Sequence, residues 1–291
     1  MPLEKSSPCK VNLLLNILGK RPDGFHELET VMHPVNLCDA LMLERGGTGV
    51  GLTCSDPTLP VDAKNLVHRA ATAFLDAAGI GEGVKLRLEK KIPLAAGLGG
   101  GSGNAATTLL GLNELFDSPL ALEKLDELAA ALGSDIPFFL QSKPALGTGR
   151  GEKIQSLEPF PVLRRKVFFL IHPGFGISTP WAYQNLARFP DALNGRAGRA
   201  QQLIARLRGG DLEAAAKEFY NSLEAPALHK YPVLALFQDF LRSQGAAVAL
   251  MSGSGSTTFA IVDDWKRAET LREKFLNKFS ANCWTALVPI P

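Results

Sequence analysis

Cysteine is scarce in this chain. Its 291 residues include four, Cys9, Cys38, Cys54 and Cys283, scattered and with no CxxC pair. That spacing excludes a secreted-type disulfide framework and fits reduced thiols in a cytoplasm. The five histidines form no HxxxH pair, so the sequence holds no zinc pattern and no protein-held metal is expected. An excess of one charge is also lacking: 31 basic and 29 acidic residues leave a net +2, with no basic block. Binding to a phosphate backbone needs concentrated positive charge, so no nucleic-acid partner is expected. The N-terminus has no apolar signal core. The longest uncharged run, 245–262, has the length of a membrane span, but Ser252, Gly253, Ser254, Gly255, Ser256, Thr257 and Thr258 fill its middle. Two short buried strands around a turn fit it better. The expectation is a soluble cytoplasmic protein with no membrane partner.

What is present reads as a globular α+β chain. Apolar residues make up 46% and charged residues 21%, and the length suffices for one large domain or two ordinary ones. Residues 10–18, KVNLLLNIL, alternate as a strand. Val11, Leu13, Leu15 and Ile17 share one face, and Lys10, Asn12 and Asn16 share the other. The turn RPDG (21–24) then leads into a second strand over 25–32. Further strands are read at 40–45, 49–54 and 84–90, with helices over 65–78 and up to residue 117. A third helix is expected from Ser118 as N-cap, with Pro119 at its first position, to Gly133. After Lys166 come a strand, three or four helices between 179 and 242, two strands, a helix at 264–279 and a last strand at 284–288. A strand-rich first half and a helix-rich second half predict two domains, 1–155 and 156–291, joined near 147–163.

The densest signal is PLAAGLGGGSGNAATTLLGLNELF (93–116), where five glycines fall within residues 97–103 at the mouth of a helix. Glycine costs backbone entropy on folding, so a cluster needs a reason. Without Cβ atoms, successive N–H groups can converge on one anion, and a helix N-terminus adds positive potential and unpaired donors. This is a phosphate-binding arrangement. It is not a Walker A loop, because no lysine lies between Lys91 and Lys124. It is not a clean dinucleotide fingerprint either, because Ser102 stands where the last glycine of GxGxxG belongs. A flexible turn with glycines for tight packing is the plain alternative.

Two other stretches carry polar residues in unusual places. SPCKVNLLL (7–15) puts Lys10 and Asn12 on one strand face, about 7 Å apart. GSDIPFF (133–139) puts Asp135 on a tight turn beyond a helix end. Taken singly, Lys10 could be a gatekeeping charge and Asp135 a helix cap. Together with the glycine loop and MSGSGSTTFA (251–260), they make an ordered set that resembles the GHMP kinase superfamily. Its members share an N-terminal motif, a central PxxxGLGSSAA-like loop and a C-terminal glycine motif. Residues 8–32, GLGGGS (97–102), GSDIPFF, HPGFGISTP (172–180) and NSLEAPAL (221–228) place the resemblance nearest one branch. That branch phosphorylates a cytidine-diphosphate-linked methylerythritol in the non-mevalonate isoprenoid pathway. The likeness runs from Pro8 to about Ala260.

The resemblance implies a two-domain α+β kinase fold. Its N-terminal domain would be a ribosomal-protein-like α/β unit and its C-terminal domain ferredoxin-like, with the active site in the cleft between them. It implies ATP as phosphoryl donor, Mg²⁺ accompanying the ATP, and a monomer or weak homodimer. Asp135 would accept the proton of the substrate hydroxyl, and Lys10 would offset charge on the transferring phosphoryl oxygens. Pro93, Leu94, Ala95, Ala96, Gly97, Leu98, Gly99, Gly100, Gly101, Ser102 and Gly103 would hold the nucleotide phosphates. Asn65 and Leu66 would lie on the adenosine side. Asn12 would lie near the methylerythritol chain and Thr179 near the cytidine end. Phe25 and Tyr183 would sandwich the cytosine, with His26 bonding its edge; ordinary hydrophobic packing is the alternative for the two rings. The chain departs from its branch at the loop, where GLGGGSSDAA becomes GLGGGSGNAA: Gly103 replaces a serine and Asn104 an aspartate. A missing first-turn carboxylate forgoes about 0.3–1 kcal/mol of helix-dipole stabilisation. Three competing readings remain: a GHMP kinase for another alcohol, a non-catalytic protein on the same fold, and a dinucleotide oxidoreductase.

Overall fold

Two strands are much longer than their sequence patterns suggest. Strand β1 spans Leu3–Lys20, and β2 spans His26–Arg45, joining the runs read separately at 25–32 and 40–45. Pro34 and Asn36 look like strand breakers, yet β2 continues through them with Val31, Met32 and Val35 buried. The computed structural model describes residues 2–280 and 282–291. It divides into two compact units that do not follow chain order. One holds the chain up to Cys9, Leu37–Pro93 and Gly99–Ser142; the other holds Lys10–Asn36, Leu94–Leu98 and Lys143–Pro291. Packing therefore groups the residues differently from a division into 1–155 and 156–291, because β1 and β2 each supply a segment to both units.

In the first unit, β3 (Val50–Cys54) runs parallel to β4 (Val84–Glu89), and β4 pairs antiparallel with β2, Ala40 opposite Glu89 and Arg45 opposite Val84. Helix α1 (Leu66–Ala78) follows β3, starting at the Asn65 cap and ending at Gly79, whose φ of 65° a side chain would resist. Its face of Val67, Ala70, Ala71 and Phe74 is buried and packs on α2 (Gly100–Leu115). Helix α3 (Leu122–Leu132) begins four residues later than Ser118. Asp117 and Ser118 take left-handed φ of 62° and 59°, and the Asn113 side chain bonds both the N–H and the carbonyl of Leu120. That tether, donated from α2, overrides the local Ser-Pro start signal.

In the second unit, β5 (Ala145–Thr148) pairs with β2 through Thr30–Gly147 and with β6 (Lys153–Ser156). The stretch expected to be a junction is thus a hairpin. Then come β7 (Val167–His172), α4 (Thr179–Asn185), α5 (Pro190–Leu193), α6 (Arg199–Arg208), α7 (Leu212–Ala216), β8 (Tyr220–Asn221), α8 (Glu224–Lys230) and α9 (Val233–Ser243). The chain closes with β9 (Val248–Met251), β10 (Thr258–Val262), α10 (Trp265–Phe279) and β11 (Trp284–Pro289). Among the described residues six helices, not three or four, lie between 179 and 243. The second sheet has the antiparallel order β11-β7-β10-β9, that of a ferredoxin-like domain. The whole of β7, VFFLIH, is buried. Phe169, Phe237 and Phe275 meet edge to face, with centroids 5.9 and 4.9 Å apart, and truncating such a ring to alanine costs about 3–5 kcal/mol.

Candidate active site

The alternation of β1 puts Lys10 and Asn12 side by side. Both are buried, so Lys10 is not a solvent-facing gatekeeper. Its ammonium donates to Asn12 Oδ1. The Asn12 amide nitrogen in turn donates to Thr30 Oγ1 at 2.9 Å, and Thr30 Oγ1 donates to the Leu14 carbonyl at 2.6 Å. A buried charge is tolerable only where polar partners surround it, and this chain of bonds fixes the direction of the ammonium. Opposite lies the turn between β9 and β10. Ser252 Oγ accepts from the Asn12 backbone N–H at 3.3 Å and donates to the Gly97 carbonyl at 2.9 Å. Gly253 has φ +56°, and a Cβ on it would stand 3.3 Å from Lys10 Nζ and 2.8 Å from the Gly97 carbonyl oxygen.

Residues 94–98, from the start of the glycine-rich stretch, pack on that same turn. The carbonyls of Ala96, Gly97 and Leu98 accept from Thr257 N–H at 3.1 Å, Ser252 Oγ at 2.9 Å and Lys10 N–H at 2.9 Å. A Cβ at Gly97, where φ is +75°, would fall 2.1 Å from the Ser252 carbonyl oxygen. Gly97 is therefore a close-packing residue, which the plain alternative for the loop foresaw.

The first unit holds the rest of the loop. Gly99 is the N-cap of α2 with φ 69°, and the first α-helical backbone bond from the cap runs from Gly103 N–H to the Gly99 carbonyl at 2.8 Å. The amides of Gly100, Gly101 and Ser102 precede that ladder, as first-turn amides do. Leu66, the first residue of α1, reaches the same place: a Cβ on Gly101 would lie 3.7 Å from its Cδ1. Asn65 already works as a helix cap, accepting from Val67 N–H at 2.9 Å and donating to the Pro60 carbonyl at 2.7 Å. Gly103 has a steric reason, since a Cβ there would come 2.4 Å from the Pro8 carbonyl oxygen. Asn104 is buried and donates to Ser7 Oγ and to Asp39 Oδ2, both at 2.9 Å, while Lys90 donates to Asn104 Oδ1 at 3.1 Å and pairs with Asp39. An aspartate at 104 would set a second carboxylate against Asp39 with one lysine between them, so the amide suits this network. Asp135, also in the first unit, is half-buried on the turn between α3 and the single 3₁₀ turn Pro137–Leu140. The cap position of that turn is Ile136, so capping does not account for an acid at 135.

The aromatic residues expected around the cytosine all belong to the second unit. Tyr183 lies against His26, centroids 5.1 Å apart and planes tilted by 38°. Phe25 is 52% exposed, and the Arg150 guanidinium sits 4.7 Å above its ring. Ordinary core packing therefore does not explain Phe25. Burial, followed by the nearby Lys20 charge, pushes the His26 imidazole below its usual value, so at neutral pH it is uncharged with one donor and one acceptor nitrogen. Thr179 opens α4 and shares a 2.8 Å hydroxyl bond with Ser254 of the glycine turn. The other side of α4 supplies Trp181 and Asn185 to a cavity of about 370 Å³ that contains none of the residues singled out from the sequence. Thr30, Ser252 and Gly253 are the participants that sequence reasoning did not assign. Their partners are up to 240 positions away, and only the glycine-rich composition of 251–258 hinted at them.

Comparison with known proteins adds independent findings. Residues 65–143 match the family described as GHMP kinases N terminal domain, and residues 200–281 match GHMP kinases C terminal. The 4-diphosphocytidyl-2-C-methyl-D-erythritol kinase of Syntrophotalea carbinolica is 38% identical over 286 residues, covering 98% of this chain and 97% of its own length. The enzyme of the same name from a Synechococcus species is 41% identical over 278 residues, covering 93% and 88%. A crystal structure of 4-(cytidine 5'-diphospho)-2C-methyl-D-erythritol kinase superposes with a TM-score of 0.81 at 33% identity, covering 99% of this chain and 100% of that one.

Proposed function

The chain belongs to the GHMP kinases, and within them to the 4-diphosphocytidyl-2-C-methyl-D-erythritol kinases, and from that premise we propose that it phosphorylates the same alcohol. It transfers the γ-phosphoryl group of ATP to the 2-hydroxyl of 4-diphosphocytidyl-2-C-methyl-D-erythritol, in the non-mevalonate route to isoprenoid precursors. The observation that carries this reading is 38% identity sustained over 98% of the chain with a relative of that name. Residues 1–155 and 156–291 form the N- and C-terminal kinase domains in this reading, and the two family matches fall inside them.

In the proposed reaction the 2-hydroxyl oxygen attacks the γ-phosphorus in line. The bond from that phosphorus to the β,γ-bridging oxygen breaks, and ADP leaves with the electron pair. Asp135 takes the hydroxyl proton, a role typically worth 10²–10⁴ in rate, on the order of that for other general bases. Lys10, held by Asn12, faces the charge that builds on the phosphoryl oxygens. Residues 93–103 receive the nucleotide phosphates, supported by first-turn amides of α2 that precede its hydrogen-bond ladder. Asn65 and Leu66 border the adenosine, Asn12 the methylerythritol chain, and Thr179 the cytidine. Phe25, Tyr183 and neutral His26 hold the cytosine.

Among the described residues no three His, Cys, Asp or Glu side chains converge. Mg²⁺ would accompany the ATP phosphates, and no step here depends on it. Among the same residues no helix is long and apolar enough to cross a membrane; the reading is of a cytoplasmic enzyme, monomeric or weakly dimeric.

The test is ADP release with 4-diphosphocytidyl-2-C-methyl-D-erythritol, homoserine or mevalonate as acceptor, with nucleotide binding followed in parallel. Release only with the first acceptor, lost in Asp135→Asn while ATP still binds, is the expected result. Release with another acceptor, or none from folded native protein, removes the substrate assignment.

A further inference from the structure

The segment NSLE (221–224) lies at the centre of the second unit, and nothing in the reaction outlined above uses it. Asn221 and Ser222 are 1% and 0% exposed. Each has its bonding capacity directed at one of two other elements. On one side is β1. Tyr220 and Asn221 pair in parallel with Leu14 and Leu15, Ser222 N–H donates to the Leu15 carbonyl at 2.8 Å, and Ser222 Oγ accepts from Ile17 N–H at 2.9 Å. On the other side is the turn after β9. The Asn221 amide nitrogen donates to the carbonyls of both Met251 and Gly253, at 2.8 and 2.7 Å. Its Oδ1 accepts from Leu223 N–H at 2.9 Å. Glu224 Oε1 accepts from Met251 N–H at 2.8 Å and from Gln238 at 2.6 Å.

One amide group thus spends both of its protons on two carbonyls that lie two residues apart, which requires the chain between them to curl. The residue enclosed is Ser252, which bonds Asn12 and Gly97. Gly253 follows, where a Cβ would lie 2.8 Å from the Gly97 carbonyl oxygen and 3.3 Å from Lys10 Nζ. Tyr220, Asn221 and Ser222 hold β1 at Leu14, Leu15 and Ile17, two to five positions beyond Asn12. We propose that Asn221 is a positioning residue for phosphoryl transfer. Its side chain sets the Ser252–Gly253 turn against the strand that carries Lys10 and Asn12, and so fixes where the ammonium points. It touches no reacting atom, because every polar atom of its side chain is engaged inside the unit. Misplacement of a catalytic group by 1 Å costs on the order of 10²-fold in rate, so a buried residue of this kind is visible in kcat. The proposal rests on the assignment of Lys10 to the reaction.

The informative substitution is Asn221→Asp. It keeps the shape and the acceptor for Leu223 N–H but turns the two-proton donor into an oxygen facing two carbonyls. In protein whose circular dichroism and thermal midpoint show it folded at the assay temperature, kcat should fall tenfold or more. KM for ATP should stay within about threefold, since the first-turn amides of α2 are untouched. Protonating the introduced carboxyl returns one donor, so the deficit relative to wild type should shrink as pH is lowered from 8 to 6. A loss of stability alone would leave kcat of the folded fraction unchanged. Should Asn221→Asp fail to fold, Ser222→Ala decides, because it loosens the same clamp at its β1 end by a single hydroxyl; kcat should then fall at least threefold. A kcat within twofold of wild type in the folded variant overturns the proposal. Lys10→Ala, run alongside, separates the two levels. If it leaves turnover intact, the site assignment fails; if it abolishes turnover while the Asn221 and Ser222 variants do not, only the positioning role fails.

Discussion

His33 offers a measurement in which the sign and the size of an effect both come from the fold. It sits in β2, 5% exposed, edge-on to Phe168 at 5.3 Å. Its Nδ1 lies 2.7 Å from the Pro34 carbonyl, which can only accept, so Nδ1 carries a proton. Burial pushes the imidazole from 6.5 down to about 4, and the Pro34 bond resists this only in part. Above pH 6.5 the ring is neutral in both folded and unfolded chains and contributes no pH dependence. As pH falls below 6.5, the unfolded chain takes up a proton that the folded chain refuses, and stability is lost until pH approaches 4. The full loss is about 3 kcal/mol, at about 1.4 kcal/mol for each pH unit between the two values. Urea unfolding of wild type and His33→Asn at pH 7.5, 6 and 5 isolates it. Asparagine keeps a donor for the carbonyl but does not titrate. Between pH 7.5 and 5 the wild type should lose about 2 kcal/mol more than the variant, whatever offset separates them at pH 7.5. Parallel curves over that window would refute the reasoning, because they would mean that the buried ring is protonated without cost.

Gly103→Ser would restore the residue of the resembling loops, yet its Cβ meets the Pro8 carbonyl; overpacking of this kind costs about 1–3 kcal/mol and should lower the urea midpoint. Gly101→Ala, where a Cβ finds ordinary contact and a better helix former enters the first turn, should leave that midpoint unchanged or raise it. Tyr183→Ala should raise KM for the cytidine substrate about fivefold or more, from the loss of roughly 1–3 kcal/mol of stacking, with KM for ATP unchanged; equal effects on both would move Tyr183 out of the cytosine site.

The parts of the site legible in the sequence were those with a local signature. Alternation put Lys10 and Asn12 on one face of β1, and both are buried there. The helix read over 65–78 and the helix after the glycines were visible because helical periodicity acts within one or two turns. What escaped depended on contacts made far along the chain. Ser118-Pro119 has the local form of a helix start, but the Asn113 side chain holds that link open. Pro34 has the local form of a strand end, but β2 runs on through it. The glycines of the loop carried a mixed message. Convergent amides explain why a helix mouth tolerates several of them, whereas Gly97 and Gly103 answer to the backbones of Ser252 and Pro8. Ser252 and Asn221 stand in motifs the sequence displays, 251–260 and 221–228, but nothing local shows their partners, since Ser252 bonds Asn12 240 positions away and Asn221 pairs with Leu15 of β1.

The three consecutive carbonyls of Ala96, Gly97 and Leu98, each already accepting a hydrogen bond from within the second unit, bear on the thermodynamics of ligand capture. Fixing the backbone of a single free residue costs about 1–2 kcal/mol of conformational entropy. A loop held this way has met that cost during folding, and a ligand meets it already ordered. Association is then limited by diffusion and desolvation and not by a search among loop conformers. A complex formed with a rigid partner gains affinity chiefly by avoiding that entropic loss. The glycines that would make such a loop limp in isolation do not do so here, because its neighbours supply the stiffness that its own side chains lack.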